Sequence, residues 1–146
     1  MPGDSKDFEF LEHTADVYVA AYGRNLAEAF ENAARAMFET MTDIDTVKPT
    51  VRERVKVKGE DKKALLYTWL EELLIRFDIS GKLYSKFDIK ELKETASGYE
   101  LEAVIYGEPF NPSMHKQKVG VKAITYHRME IKETSKGVTL KFILDI

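Results

Sequence analysis

The chain contains no cysteine. Disulfide staples, thiolate zinc sites and a thiol nucleophile are therefore all excluded. Proline is scarce, with four in 146 residues, and two of these fall close together at Pro109 and Pro112. No apolar run approaches the roughly 20 residues that a membrane-spanning helix needs. The opening stretch, Met1 to Asp7, is polar and lacks the apolar core of a secretory signal, so a cytoplasmic location is expected. Several enzyme signatures are also missing. There is no phosphate-binding Gly-rich loop, no Gly-x-Ser-x-Gly elbow and no His-Glu-x-x-His. Net charge is −3, from 22 basic and 25 acidic residues, so the whole molecule is not an electrostatic nucleic-acid binder.

What is present suits one globular domain spanning residues 1–146, long enough to bury a core without metal or disulfide. Hydrophobic residues make up 44% of the chain, while the charged share of 32% is on the high side. Short strands are expected over 8–12 and 15–22. In the second, Val17, Val19 and Ala21 share one face, while Asp16, Tyr18, Ala20 and Tyr22 share the other. Asn25, with Glu28 three residues on, reads as a helix N-cap. Leu26, Ala29, Phe30, Ala33, Met37 and Met41 then recur at helical spacing to about Thr42.

Val51, Val55 and Val57 alternate with Arg52, Arg54, Lys56 and Lys58, the pattern of a half-buried strand. Asp61 caps a second helix whose Leu65, Leu66, Trp69, Leu70, Leu73, Leu74 and Phe77 make it the most apolar segment, stopped by Gly81. Strands are expected over about 83–93, 99–107, 119–126, 128–134 and 138–145. Turns at Ser97-Gly98 and Lys136-Gly137 separate their neighbours. The class is α+β, two-layer, with two helices packed on one face of a largely antiparallel β-sheet.

The least regular segment runs from Gly107 to Lys118 and carries two prolines, an asparagine and His115. An ordered loop of this length between strands is usually functional. Its His115, Lys116 and Lys118, with Arg128 beyond, read as a positive patch that could dock on a partner. No aromatics interleave with these cations, so a stable direct nucleic-acid contact is not expected.

The acidic candidates are Asp16, Asp145 and the terminal carboxylate of Ile146. Converging carboxylates repel one another unless a cation neutralises them, and hard ions prefer such oxygen ligands. On spacing alone, Asp16 reads as a turn residue and Asp145 as a solvated chain end. Only tertiary proximity would make them a pair. His13 is either a structural histidine or a ligand, and with a hard ion it fits better as a residue that orients Asp16. Lys122 and His127 follow the loop, and Lys122 can be an ordinary solvated lysine or a partner of carboxylate or phosphate.

The His13-Thr14-Ala15-Asp16-Val17 motif, the 107–127 segment and the closing Phe142-Ile143-Leu144-Asp145-Ile146 together closely resemble the archease family along nearly the whole chain. That resemblance implies an archease-like fold and a non-catalytic role. It implies an activator of the RtcB-type tRNA-splicing RNA ligase that promotes guanylylation with GTP and multiple turnover. It also implies that Asp16 and Asp145 are metal ligands, for Ca²⁺ or Mg²⁺, or Mn²⁺ in the partner complex. Under it, Lys122 gains a supporting role. The alternative carried by the same resemblance is a chaperone-like partner of a tRNA methyltransferase or other RNA-modification enzyme. A stand-alone metal-dependent phosphohydrolase would need more clustered ligands than the chain offers.

Overall fold

In the computed structural model, residues 6–12 and 15–146 are described. Among them, seven strands and two long helices follow the order β1 (Phe8–Leu11), β2 (Val17–Gly23), α1 (Leu26–Met41), β3 (Val51–Gly59), α2 (Lys62–Ser80), β4 (Lys82–Thr95), β5 (Gly98–Pro109), β6 (Ala123–Thr134) and β7 (Gly137–Asp145). A short 3₁₀ turn at Ile44–Thr46 follows α1.

The helices begin and end where their side chains demand. The Asn25 side chain accepts the Glu28 amide at 2.9 Å, and Glu28 in turn accepts the Arg24 amide at 2.8 Å. Each bond satisfies a donor that would otherwise be orphaned near the helix start. Asp61 does the same for Ala64 at 2.8 Å. Helix α2 stops at Gly81, whose φ of 71° is left-handed and cheap only for glycine.

The expected class holds, α+β with two helices on antiparallel strands. The strands are shared between two sheets, ordered β1-β2-β7-β6 and β3-β5-β4, with every pairing antiparallel. Both helices touch both sheets: α1 meets β1, β2 and β7 as well as β4, and α2 meets β3 and β5 as well as β6. This explains why α1 is buried on nearly every side, with Ala29, Ala33, Ala34 and Ala36 all fully covered. Small side chains let the sheets approach the helix closely. Alternation within a strand reveals its faces but not the sheet it joins, so the division was not legible in the pattern.

One core runs through the helix layer, from Val19, Ala21, Phe142 and Leu144 of the first sheet to Val55, Val57, Leu101 and Ile105 of the second. Trp69 of α2 lies at its centre. Its indole N–H donates to the Phe30 carbonyl of α1 at 3.0 Å, and its ring meets Phe87 of β4 edge-on at 6.2 Å. Helix–helix and helix–sheet contacts thus share one side chain. Trp69→Ala is expected to cost about 3–5 kcal/mol, read as a lowered denaturant midpoint with an unchanged slope. Trp69→Phe should cost less, because only the indole edge and its hydrogen bond are removed.

Candidate functional site

Strands β2 and β7 pair from Gly23↔Val138 to Val17↔Leu144. Asp16 immediately precedes Val17 and Asp145 immediately follows Leu144, so the two carboxylates flank the same terminal pair. Residues opposite each other in an antiparallel pair have Cα atoms about 4.5–5.5 Å apart. On the other side of β7, Ala123 pairs with Asp145, and the Lys122 amide donates to the Asp145 carbonyl at 2.7 Å. The tertiary proximity that spacing could not supply is therefore built by the sheet. Asp16, Asp145, Lys122 and Ile146 stand together at one end of it, Asp16 half-buried and the others exposed.

The donors at this end are carboxylate oxygens. Among the described residues no group of three His, Asp or Glu gathers into a closed metal site. Such a set suits a hard, oxygen-seeking cation that completes its shell with water or with a partner's oxygens, and does not suit zinc. His13 lies outside the described residues.

Immediately beyond, β6 departs from regular pairing. Thr125 opposes Ile143 and Glu130 opposes Lys141, so Tyr126, His127, Arg128 and Met129 stand against Phe142 alone. The surplus is accommodated by a left-handed Arg128, with φ of 59°. Met129 turns into the core. Tyr126 stacks on Tyr67 of α2 with ring centroids 4.5 Å apart. The His127 amide donates to Thr125 Oγ1 at 3.0 Å, and its side chain is exposed. The Arg128 guanidinium lies 5.1 Å from the centre of the Tyr18 ring. The second face of β2 is therefore covered, and Tyr18 is buried along with Val19. Two separate strands were expected at 119–126 and 128–134. A single bulged strand, Ala123–Thr134, takes their place, and the five-residue step between the core residues Ile124 and Met129 is the signal that was available.

The loop after β5 corrects the expected docking patch. His115 is buried, at 2% exposure, and cannot present itself to a partner. Its Nδ1 accepts the Asn111 amide at 2.9 Å, so the ring proton sits on Nε2, which donates to Glu108 Oε2 at 2.8 Å. The same carboxylate oxygen accepts the Lys48 amide at 2.8 Å. His115 thus ties the loop to itself and to the connector before β3. Lys118 is committed as well: its ammonium donates to Glu39 at 2.7 Å and lies 3.4 Å from Asp43. The adjoining amides of Lys118 and Val119 bond the carbonyls of Met41 and Thr40. Glu39 and Asp43 hold the Lys118 ammonium above its ordinary range. Lys116 is exposed, as the patch requires.

Beside this loop lies an apolar hollow of about 180 Å³ lined by Met41, Phe77, Leu83, Phe110 and Val119. A larger, lysine-rimmed hollow of about 410 Å³ opens at the opposite end of β2 and β7, around Tyr22, Lys132 and Lys136, away from the carboxylates.

Comparison with known proteins agrees on one family. The model of the Archease protein family matches residues 8–146. A protein archease from Sulfurisphaera tokodaii is 46% identical over 139 residues, covering 95% of this chain and 98% of that protein. One from Methanosarcina mazei is 36% identical over 146 residues, the full length of both. The solution structure of Methanobacterium thermoautotrophicum protein 1598 superposes with a TM-score of 0.84 at 41% identity, covering 96% of this chain and 99% of that one. An archease from Thermotoga maritima, named a possible chaperone, shares the fold with a TM-score of 0.63 at 17% identity, covering 93% of this chain and 94% of its own.

The loop's internal bonds yield a pH dependence. The Lys48 amide, with a further contribution from His115, holds the Glu108 carboxyl below its ordinary value of 4.5 despite partial burial. A carboxyl depressed on folding contributes stability above its unfolded pKa and loses it as pH falls through the folded value. Hydrogen-exchange protection of residues 111–118 should therefore be full at neutral pH and fall away below about pH 4.5. Glu108→Gln should flatten that acid-side loss. His115→Ala should weaken protection at every pH.

Proposed function

Because the chain belongs to the archease family, we propose that it is a non-catalytic activator of the RtcB-type tRNA-splicing RNA ligase. It promotes guanylylation of the ligase with GTP and so sustains repeated rounds of RNA ligation. The observation that supports this reading most is the β2–β7 register, which sets Asp16 beside Asp145 at an open sheet end. In this reading Asp16, Asp145 and Ile146 hold a divalent ion, Ca²⁺, Mg²⁺ or, in the partner complex, Mn²⁺. Such an ion supplies positive charge against the phosphates of the nucleotide.

The chain's own part is positional. Asp145 is held by its backbone through the Lys122 amide, so its carboxylate is presented from a rigid strand end. An open, half-exposed donor set fits use on a second protein's substrate better than catalysis in a closed pocket. Lys122, joined to Asp145 through its backbone amide, and His127, in the bulge of β6, are both exposed, and in this reading they meet a phosphate or an acidic residue of the ligase. Lys116 offers a cation for docking on the loop side.

A second reading, a chaperone-like partner of a tRNA methyltransferase or other RNA-modification enzyme, has one observation in its favour. Ile75, Ile79, Met114 and Val119 are all exposed, Ile79 at 82%, and exposed apolar groups serve a protein that binds other proteins.

The test is guanylylation of the matching ligase with GTP and divalent metal at substoichiometric amounts of this protein. Wild type should give multiple-turnover stimulation, and Asp16→Asn and Asp145→Asn should each lower it by about tenfold or more. Full stimulation by both variants would remove the carboxylates from the mechanism. No stimulation by wild type would remove the ligase and bring the methyltransferase partner forward.

A further inference from the structure

The outer face of the β3-β5-β4 sheet, the side turned away from the helices, carries its charge in two unlike halves. On β3 the outward residues are Arg52, Arg54, Lys56 and Lys58, all exposed, because Val55 and Val57 between them enter the core. Across the central strand β5 they meet Tyr106, Val104, Glu102 and Glu100 in that order. Toward the turn at Ser97 and Gly98 the charges are matched: Lys56 lies 3.7 Å from Glu102, and Lys58 lies 3.9 Å from Glu100. Toward Gly107 they are not. Arg54 stands opposite a valine and Arg52 opposite a tyrosine.

From the other side of β5, Lys86 pairs with the same Tyr106, and its ammonium lies 4.9 Å from the ring centre. Tyr106 is therefore flanked in register by a cation on each side, and Arg54 stands one step of about 6.8 Å further along β3. The neighbouring acids are already committed. Asp88, opposite Val104 on β4, bonds Lys90 at 2.6 Å. Glu108, the next outward residue of β5, is taken by His115 and the Lys48 amide. Asp88 raises the Lys90 ammonium above its ordinary range and Arg52 opposes that rise, so the cations share one field. Among the described residues Arg52, Arg54 and Lys86 have no acidic partner. A hollow of about 270 Å³ opens over Val104 between Arg54 and Lys90.

On a chain of net charge −3, this half-face is a local reversal of sign, and its complement is a polyanion. Tyr106 decides which kind. An acidic peptide would answer the cations and leave the ring idle, and a duplex keeps its bases stacked on one another. A single strand offers phosphates and free base faces together. We propose that this face binds single-stranded RNA, with a base on the Tyr106 ring and backbone phosphates on Arg52, Arg54 and Lys86. The exposed cation–π contact of Lys86 is weaker than a base stack, so an arriving base displaces the ammonium, which then pairs with a phosphate. No aromatic alternates with the cations along β3 itself; the neighbouring strand supplies it. The choice of RNA over DNA rests on the function proposed above, whereas the single-strand site does not.

The probe is a fluorescein-labelled oligouridylate of about 12 nucleotides, titrated with the free protein and followed by anisotropy over a salt series. Log affinity should fall against log salt with a slope of about −2, as for about three phosphates of a single strand. Tyr106→Ala should lower affinity about tenfold, while Tyr106→Phe, which keeps the ring, should bind as wild type. Arg52→Gln and Arg54→Gln should each lower it severalfold and flatten the slope by about 0.7. Lys56→Gln and Lys58→Gln, whose cations are matched by glutamates, should stay within about twofold of wild type. The arginine variants lie on the solvent face and should melt as wild type does, so their losses cannot be assigned to misfolding. Wild-type affinity in both arginine variants, or in Tyr106→Ala, would overturn the proposal. So would polyglutamate of equal length competing as well as the RNA, which would make the face a dock for an acidic protein. The assay contains no ligase and guanylylation uses no RNA, so failure of either result leaves the other standing.

Discussion

The pairing of β2 with β7 is the constraint on which the rest of the structure depends. Seven consecutive pairs, from Gly23↔Val138 to Val17↔Leu144, join a strand near the start of the chain to the one that ends it. Register in such a pair is all-or-none. A slip of one residue would turn Val19, Ala21, Phe142 and Leu144 out of the core and carry Tyr18 and Ile143 into it. The apolar alternation that fills the helix layer therefore also fixes which residues lie beyond its end. Asp16 and Asp145 both lie next to the last pair, Val17↔Leu144, because the core would not close in any other register. Packing and site are consequences of one alignment.

Around that rigid pair, the two irregular segments are held by different means. The 110–120 loop is stabilised from within. Asn111 and Glu108 pin His115, and Lys118 is clamped to the end of α1 by Glu39, Asp43 and two backbone bonds. The β6 bulge is stabilised from outside itself, with Met129 in the core, Tyr126 on Tyr67 and Arg128 on Tyr18. The first segment spends its polar groups on its own structure. The second leaves a guanidinium and an imidazole exposed at the surface. Chemistry therefore concentrates on the sheet end and not on the longer loop.

The sequence disclosed these parts unequally, for physical reasons. Both helices were legible with their caps, because Asn25, Asp61 and Gly81 act locally and leave local marks. The strands were legible from alternation, but the partition into two sheets was not, since pairing is a long-range choice. Asp16 and Asp145 were recognisable as chemistry-bearing residues, and the expectation that they act together as ligands came from family resemblance alone. Their adjacency emerged only with the β2–β7 register. His115 was misjudged as a docking residue because a basic loop looks alike whether its cations face water or one another. The bulge went unread as a bulge because three surplus residues in an antiparallel strand resemble a turn between two strands.

The account's central claim is that this sheet end is one site, assembled from both ends of the chain around a cation. The most direct measurement is paramagnetic broadening of backbone amides by substoichiometric Mn²⁺. The account predicts that residues 16–18, 122–124 and 143–145 lose intensity together, at the same Mn²⁺ concentration, and recover together on chelation. Broadening confined to one of these segments, or centred on another acidic surface, would contradict it.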